Sequence, residues 1–302
     1  MFQLPKKILF GLDAVKQVGV EGSSLGKKAF VVTDQGVAKS GLLARVEEAL
    51  ESSAIEVLLF DRITREPTLE TAEEMAYFAR GETFDFVVGF GGGSALDMAK
   101  VASIASTNSG SMKEYLGTNL VQRPGKPKIL IPTTAGTASE VTMNAVIALP
   151  KDETKSSIVT PYNLPDLAIV DPALTVTMPQ RITVSTGLDA LSHAIEALMS
   201  NVSNPLTDAL AYEAVTLVSE SIRLAYAQPE NMQARYGMAL ASLSAGIAFG
   251  NASTCLGHAL AYTFAVTYSI PHGLSCGLAL PYVIEYNAIA CPEKLSRVKE
   301  IM

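Results

Sequence analysis

The sequence predicts an α/β domain with a parallel sheet followed by an all-α domain, and three observations carry that reading. From Lys28 onward, strand-like and helix-like segments alternate, the pattern of a sheet whose strands are joined by helical crossovers. The segment 85–90, with Phe86, Val87, Val88 and Phe90, is nearly all apolar, as a parallel strand covered on both faces has to be. Beyond Pro179 strand signals almost vanish and helical periodicity takes over. That change sets a boundary near residue 180, giving an α/β domain over 1–180 and a helical domain over 181–302.

Strand-like Ile8, Leu9 and Phe10 lie near the start of the chain. The run 29–33 is β-rich and ends in a turn at Asp34, Gln35 and Gly36. Segment 42–50 is helical, with Leu43, Val46 and Leu50 on one stripe, and 55–60 is again strand-like. Pro67 and Thr68 mark a helix start, and 68–80 holds good helix formers. After the strand at 85–90 come a helix at 94–106 and a fourth strand at 128–131. Short strands at 144–149, 157–160 and 167–170 read as an excursion or an edge of the same sheet, and Asp171 with Pro172 makes a turn. Helices are then expected at 186–199, 206–225 and 229–249 and around His258 and Leu278. The stretch 293–302 is amphipathic and stops without a cap, so the helical domain is expected to be truncated at its C-terminus.

The 302 residues allow one large or two medium domains, and a 48% apolar composition lets the chain bury a sizeable core. A net charge of −7 argues against non-specific binding to nucleic acid or anionic membranes. No run approaches the ~20 apolar residues that a bilayer span needs. The most apolar region, 237–250, is short and interrupted by serines. The N-terminus leads directly into a strand and lacks a signal-peptide layout. Cys255, Cys276 and Cys291 are odd in number and form no Cys-x-x-Cys, so they read as reduced, buried thiols of a cytoplasmic protein.

The chemistry starts with Asp189 and His193. They stand four apart on the 186–199 helix and therefore share a face. Such a pair alone also fits a surface side-chain interaction. The chain has only three histidines, however, all in its C-terminal half and all among small apolar residues: His193, His258 and His272. One carboxylate and three imidazoles suit a borderline divalent metal such as Fe(II) or Zn(II).

A second feature is Gly91-Gly92-Gly93-Ser94, between the 85–90 strand and the 94–106 helix. Glycines let a backbone approach a phosphate closely, and a helix N-terminus favours negative charge. A tight strand-to-helix turn is the other reading, but three consecutive glycines exceed what a turn needs. It is neither Gly-x-Gly-x-x-Gly nor a Walker loop. After the fourth strand, Thr133, Thr134 and Thr137 offer hydroxyls around Gly136, where parallel sheets bind ligands. The same residues also fit a threonine-rich helix cap. Asp34 ends an early strand, where a carboxylate can bond a ribose 2′-hydroxyl and repel a 2′-phosphate; it also fits a plain turn residue.

Five ordered motifs together resemble the iron-containing (group III) alcohol dehydrogenases over about 10–281. They are Gly91-Gly92-Gly93-Ser94-x-x-Asp97-x-x-Lys100, Pro132-Thr133-Thr134-Ala135-Gly136-Thr137-x-x-Glu140, Gly187-x-Asp189-x-x-x-His193-x-x-Glu196, His258, and Pro271-His272-Gly273. The resemblance implies a dehydroquinate-synthase-like architecture: a dinucleotide-binding α/β domain, a helical metal-binding domain, and an active-site cleft between them. It implies Asp189, His193, His258 and His272 as ligands of Fe(II) or Zn(II). It puts Gly92, Gly93, Ser94, Asp97, Thr133, Thr134, Thr137, Asn144 and Lys155 near the cofactor, and with Asp34 it favours NAD over NADP. It further implies a cytoplasmic homodimer acting on a small alcohol or aldehyde.

Relatives often carry another histidine four residues after the second metal histidine, where this chain has Tyr262, which can donate a hydrogen bond and joins the four metal ligands as a candidate catalytic residue. A phenol's ordinary pKa of ~10 matches neutral pH less well than an imidazole's. Proton relay then falls to water and the ribose hydroxyl, or the substrate range differs. The expected reaction is hydride transfer between a small alcohol and NAD(H). The alternatives are a glycerol-dehydrogenase-like or dehydroquinate-synthase-like zinc enzyme, or a non-catalytic nucleotide-binding subunit.

Overall fold

A computed structural model describes residues 2–64, 66–152 and 154–302. The chain divides into two compact units. Leu4–Thr133 and Ser139–Leu174 form one, and Thr175–Met302 with Thr134–Ala138 and the residues before Leu4 form the other.

In the first unit the elements run β1 (Lys7–Phe10), α1 (Val18–Ser23), β2 (Lys28–Asp34), α2 (Gln35–Lys39), α3 (Leu42–Glu51), β3 (Glu56–Ile63) and α4 (Leu69–Gly81). They continue with β4 (Phe86–Gly91), α5 (Gly93–Ala105), β5 (Gly117–Thr118), β6 (Lys128–Pro132), β7 (Asn144–Leu149), β8 (Thr154–Val159) and β9 (Leu167–Val170). Six strands make one sheet in the order β1-β9-β6-β4-β2-β3, and every pairing in it is parallel.

Alternation along the strands sorts the core into two layers, because successive side chains leave a strand on opposite faces. Phe30 and Val32 of β2 pack with Met75 of α4 and Leu96 of α5. Val31, between them, packs with Val46 and Leu50 of α3. β4 lies mid-sheet and is buried along its whole length, which accounts for its unbroken apolar sequence.

The structure departs from the sequence reading in three places here. Of the short strands after Pro132, only β9 joins the main sheet, between β1 and β6. β7 and β8 pair antiparallel with each other, and β5 adds to β8, making a separate three-stranded sheet. A hairpin satisfies its inner ladder locally, so these strands need no place at the edge of the larger sheet. Finally, the expected turn at 34–36 is the start of α2, because Asp34 Oδ1 accepts from the N–H groups of Gly36 (2.8 Å) and Val37 (3.0 Å) as an N-cap.

The second unit holds α6 (Gln180–Met199), α7 (Pro205–Ala227), α8 (Met232–Ala252), α9 (Leu256–Tyr268), α10 (His272–Asn287) and α11 (Pro292–Ile301). Small residues line its core: Ala190, Ala194 and Ala197 of α6 meet Ala211 and Ala214 of α7 and Ala241 and Ala245 of α8. α7 opens on an Asn204 cap with Pro205 in its first turn. α6 begins six residues before the expected 186. The buried Arg235 of α8 explains this, since its guanidinium donates to Thr183 Oγ1 at 2.9 Å and to the Pro229 carbonyl at 2.8 Å. Tertiary bonding there overrides the weak helix propensity of 182–186. Among the described residues no single helix is long and apolar enough to cross a membrane; α8 and α9 pass that test only as a pair, bent by 109°.

Candidate active site

Three residues of α6 build the site from one face. Asp189, His193 and Glu196 stand at i, i+4 and i+7, and all three are buried. α9 brings in His258 in its first turn, and α10 begins with His272. Asp189 Oδ1 is the hub: it lies 3.5 Å from His258 Nε2, 3.7 Å from His272 Nε2 and 3.9 Å from His193 Nε2. Four donors bonded at ~2.0–2.2 Å in a tetrahedron stand about 3.3–3.6 Å from one another. The spacings from Asp189 Oδ1 are close to that for His258 and His272 and longer for His193, so the structure brings the four residues together around one carboxylate oxygen.

The donor set also passes a chemical test. Asp189 Oδ1 and His258 Nε2 are buried, and neither has a hydrogen-bond partner among the described residues. Buried polar atoms are normally paired, so unpaired ones aimed at each other across a shared space mark a place for a cation. Burial pushes the Asp189 carboxyl up, but the three imidazoles outweigh it and hold the group well below the usual carboxylate range. Burial pushes His193 down to about 3. Burial would also lower His258, yet the Asp189 and Glu196 carboxylates and the Cys276 thiol beside it raise it well above an ordinary imidazole. Two buried carboxylates thus call for compensating positive charge, which imidazolium or a metal ion supplies.

Glu196 appears in the sequence motif but is missing from the predicted site residues. Its Oε1 lies 2.6 Å from His258 Nδ1, while its Oε2 accepts from the N–H groups of Cys255 (2.7 Å), Gly257 (3.1 Å) and His258 (3.4 Å). The carboxylate therefore caps α9 and fixes the His258 ring so that Nε2 faces Asp189, the usual outer partner of a metal-bound histidine. Its position seven residues after Asp189 was the available signal.

His193 is held by stacking: its ring lies 3.9 Å from Phe249 at 9° and 4.4 Å from His258 at 21°. Tyr262 stacks on His272 with centroids 5.5 Å apart. Gly273 allows the closest approach of α10 to α6, because a Cβ there would fall 1.8 Å from the Ser185 carbonyl oxygen and 3.0 Å from Asp189 Cβ. Gly273→Ala is expected to push the first turn of α10 outward and carry His272 away from Asp189. Overpacking of this kind costs roughly 1–3 kcal/mol. The check is a lower metal-to-protein ratio together with a lowered denaturant midpoint.

At the predicted phosphate loop, β6, β4 and β2 are neighbours, so their carboxyl ends bring Thr133, Gly91 and Asp34 side by side. Gly91 has φ +148°, which L side chains rarely adopt, and a Cβ there would lie 2.9 Å from Ala95 Cβ and 3.4 Å from Asp34 Oδ2. Thr133 N–H donates to the Gly91 carbonyl at 2.9 Å. Gly92 is the N-cap of α5, so Gly93 and Ser94 occupy its first turn, where helix N–H groups lack intrahelical partners. Thr134 and Thr137 are half-buried and lie in the helical unit, where Gly136 packs against Thr186.

Asp97, Lys100 and Lys155 make bonds within the α/β unit. Asp97 is buried: its Oδ1 accepts from Ser139 Oγ (2.5 Å) and its Oδ2 from Val146 N–H (3.0 Å). Lys100, fully buried, donates to Ser139 Oγ (2.7 Å) and to the Asn144 carbonyl (2.6 Å). Asp97 and Lys100 thus tie α5 to β7. Lys155, on β8, pairs with Glu66 at 3.0 Å. The three cysteines are free, but only Cys276 is buried, and Cys255 and Cys291 are half-buried. Burial pushes the Cys276 thiol up to about 11.

The model of the iron-containing alcohol dehydrogenases matches residues 5–172, and that of the C-terminal region of the same family matches residues 183–302. A sulfoacetaldehyde reductase from Bilophila wadsworthia is 42% identical over 298 residues, which are 98% of this chain and 77% of that protein. A crystal structure of a 1,3-propanediol oxidoreductase superposes with a TM-score of 0.96 at 40% identity, covering 100% of this chain and 80% of that one. A sulfoacetaldehyde reductase from Bifidobacterium kashiwanohense, solved in complex with NAD+, superposes with a TM-score of 0.87 at 34% identity, covering 95% of this chain and 76% of that one. Matched along both its α/β and its helical parts, the chain belongs to the iron-containing alcohol dehydrogenase family of oxidoreductases.

Proposed function

We propose that this chain transfers a hydride between a small alcohol and NAD(H), and reduces the matching aldehyde, using a divalent metal held by Asp189, His193, His258 and His272. The observation that carries this is the convergence of three imidazoles on one buried carboxylate oxygen, at 3.5–3.9 Å. In that assignment the α/β domain, 1–180, takes the dinucleotide and the helical domain, 181–302, takes the metal. Fe(II) fits the family, and Zn(II) is the other ion that a buried carboxylate among imidazoles admits. When bound, such an ion supplies Lewis-acid polarisation of an alcohol or carbonyl oxygen, and the nicotinamide supplies the hydride acceptor or donor.

The chain's own residues do the rest. Asp189 partly neutralises the ion and sets where it sits. Glu196 orients His258 through Nδ1. Phe249 and Tyr262 hold the His193 and His272 rings by stacking. Gly92, Gly93 and Ser94 present helix N–H groups to the pyrophosphate. Asp34, beside Gly91, suits a ribose 2′-hydroxyl and disfavours a 2′-phosphate, which supports NAD over NADP. Asp97, Asn144 and Lys155 are assigned beside the cofactor, with Asp97 and Lys155 also bonded within the α/β unit. Free cysteines fit a reducing compartment such as the cytoplasm, and the assembly is taken to be a homodimer.

The test is NADH oxidation with a panel of small aldehydes, on protein prepared anaerobically with Fe(II), with Zn(II), or with a chelator. Metal-dependent NADH consumption is expected. Consumption by no aldehyde under any metal, or turnover that survives complete chelation, overturns the proposal.

A further inference from the structure

The proposed metal site has a neighbour that the ligand set above does not use. Cys276 lies four residues after His272 on α10, so the two side chains leave the helix on one face, as Asp189 and His193 do on α6. Its Sγ is 3.7 Å from His272 Nε2, and it is buried and unbridged. Ligand atoms of Asp189, His258, His272 and Cys276 all lie within 4.8 Å of one another. Tetrahedral sites with one sulfur at ~2.3 Å have edges of about 3.3–3.8 Å; three of the six spacings, 3.5, 3.7 and 3.7 Å, fall inside that range and the others lie within 4.8 Å. His193 stands at 3.9 Å from the hub and is clamped between Phe249 and His258.

The site therefore offers five donors to an ion that, in tetrahedral coordination, takes four. Sulfur is the soft donor among them, and soft donors favour Zn(II) and Co(II) over Fe(II). We propose that Cys276 is the donor that sets metal choice: thiophilic cations bind through Asp189 Oδ1, His258 Nε2, His272 Nε2 and Cys276 Sγ. Fe(II) takes the carboxylate and the three imidazoles. As the sulfur–metal bond forms, the S–H bond breaks and its proton leaves to solvent. The assignment rests on the metal site proposed above and deepens it by naming what discriminates between ions there.

Co(II) replaces Zn(II) and reports its ligands by absorption, so the experiment titrates the chelated, full-length protein with Co(II). Visible ligand-field bands are expected, together with an intense near-ultraviolet sulfur-to-cobalt charge-transfer band. Cys276→Ser is expected to keep the visible bands and lose the near-ultraviolet one. His193→Ala is expected to keep both. Loss of an outer-shell partner alone weakens metal binding about 10–100-fold. Cys276→Ser should therefore weaken Zn(II), measured by chelator competition, by at least ~10-fold, and leave Fe(II) unchanged. Visible bands without the charge-transfer band in the unaltered protein overturn the role of Cys276 and leave the metal site standing. That spectrum decides even where the serine variant fails to fold. Absence of all cobalt bands overturns the metal site itself.

Discussion

Asp189→Ala is expected to leave the protein without its divalent metal and to lower aldehyde reduction by at least about a thousandfold. Lewis-acid activation is worth several kcal/mol of transition-state stabilisation, and each ~1.4 kcal/mol is a factor of ten. Asp189 is the position where that loss is complete, because its Oδ1 is the one atom near all three imidazoles. Without the carboxylate, three neutral imidazoles hold a dication with no compensating charge except Glu196, which sits behind His258. Stability of the metal-free chain should fall as well, since the ionised carboxylate is held by three imidazoles and removing one partner of such a cluster is costly. Elemental analysis, turnover with NADH, and the denaturant midpoint of metal-free protein separate these effects. A metal-free Asp189→Ala protein with unaltered turnover would falsify the ligand assignment.

Glu196 carries the second large effect, and its two obvious substitutions should differ. Glu196→Gln keeps an acceptor for the α9 N–H groups but removes the charge that sets the His258 ring. The expected result is metal affinity lower by about 10–100-fold with folding nearly intact. Glu196→Ala leaves the N–H groups of Cys255, Gly257 and His258, and the His258 Nδ1, without their acceptor. Breaking a buried charged pair of this kind costs on the order of 3–5 kcal/mol, so stability should fall along with metal binding. Chelator competition measures the first quantity and urea unfolding the second. If the alanine variant is as stable as the glutamine variant, the carboxylate does not cap α9.

The sequence exposed the site's donors because chemistry restricts their types and helical spacing restricts their placement. Asp189 and His193 share a face by periodicity alone, and three histidines in 302 residues leave few other pairings. The parallel sheet was equally legible, since β4 is apolar throughout and sits mid-sheet. Other features depend on contacts between distant segments, which spacing does not reveal. Glu196 acts through residues about sixty positions away, and Cys276 matters only because α10 packs with its first turn against Ser185. Asp97 matches the motif, yet its carboxylate bonds Ser139 and Val146 inside the α/β unit. The pairing of β7 with β8, rather than with the larger sheet, likewise lay beyond local propensity.

Asp189, His193 and Glu196 stand on a single helix. The carboxylate at the hub and the carboxylate behind His258 are parts of one rigid rod. A tilt or slide of α6 moves both in concert and preserves the interval between them. Variation in how α9 and α10 dock can thus alter which ion is accepted or how tightly it is gripped, while the spacing of the two negative charges stays constant. Engineering that aims to change metal preference should leave α6 alone and work from the opposite wall.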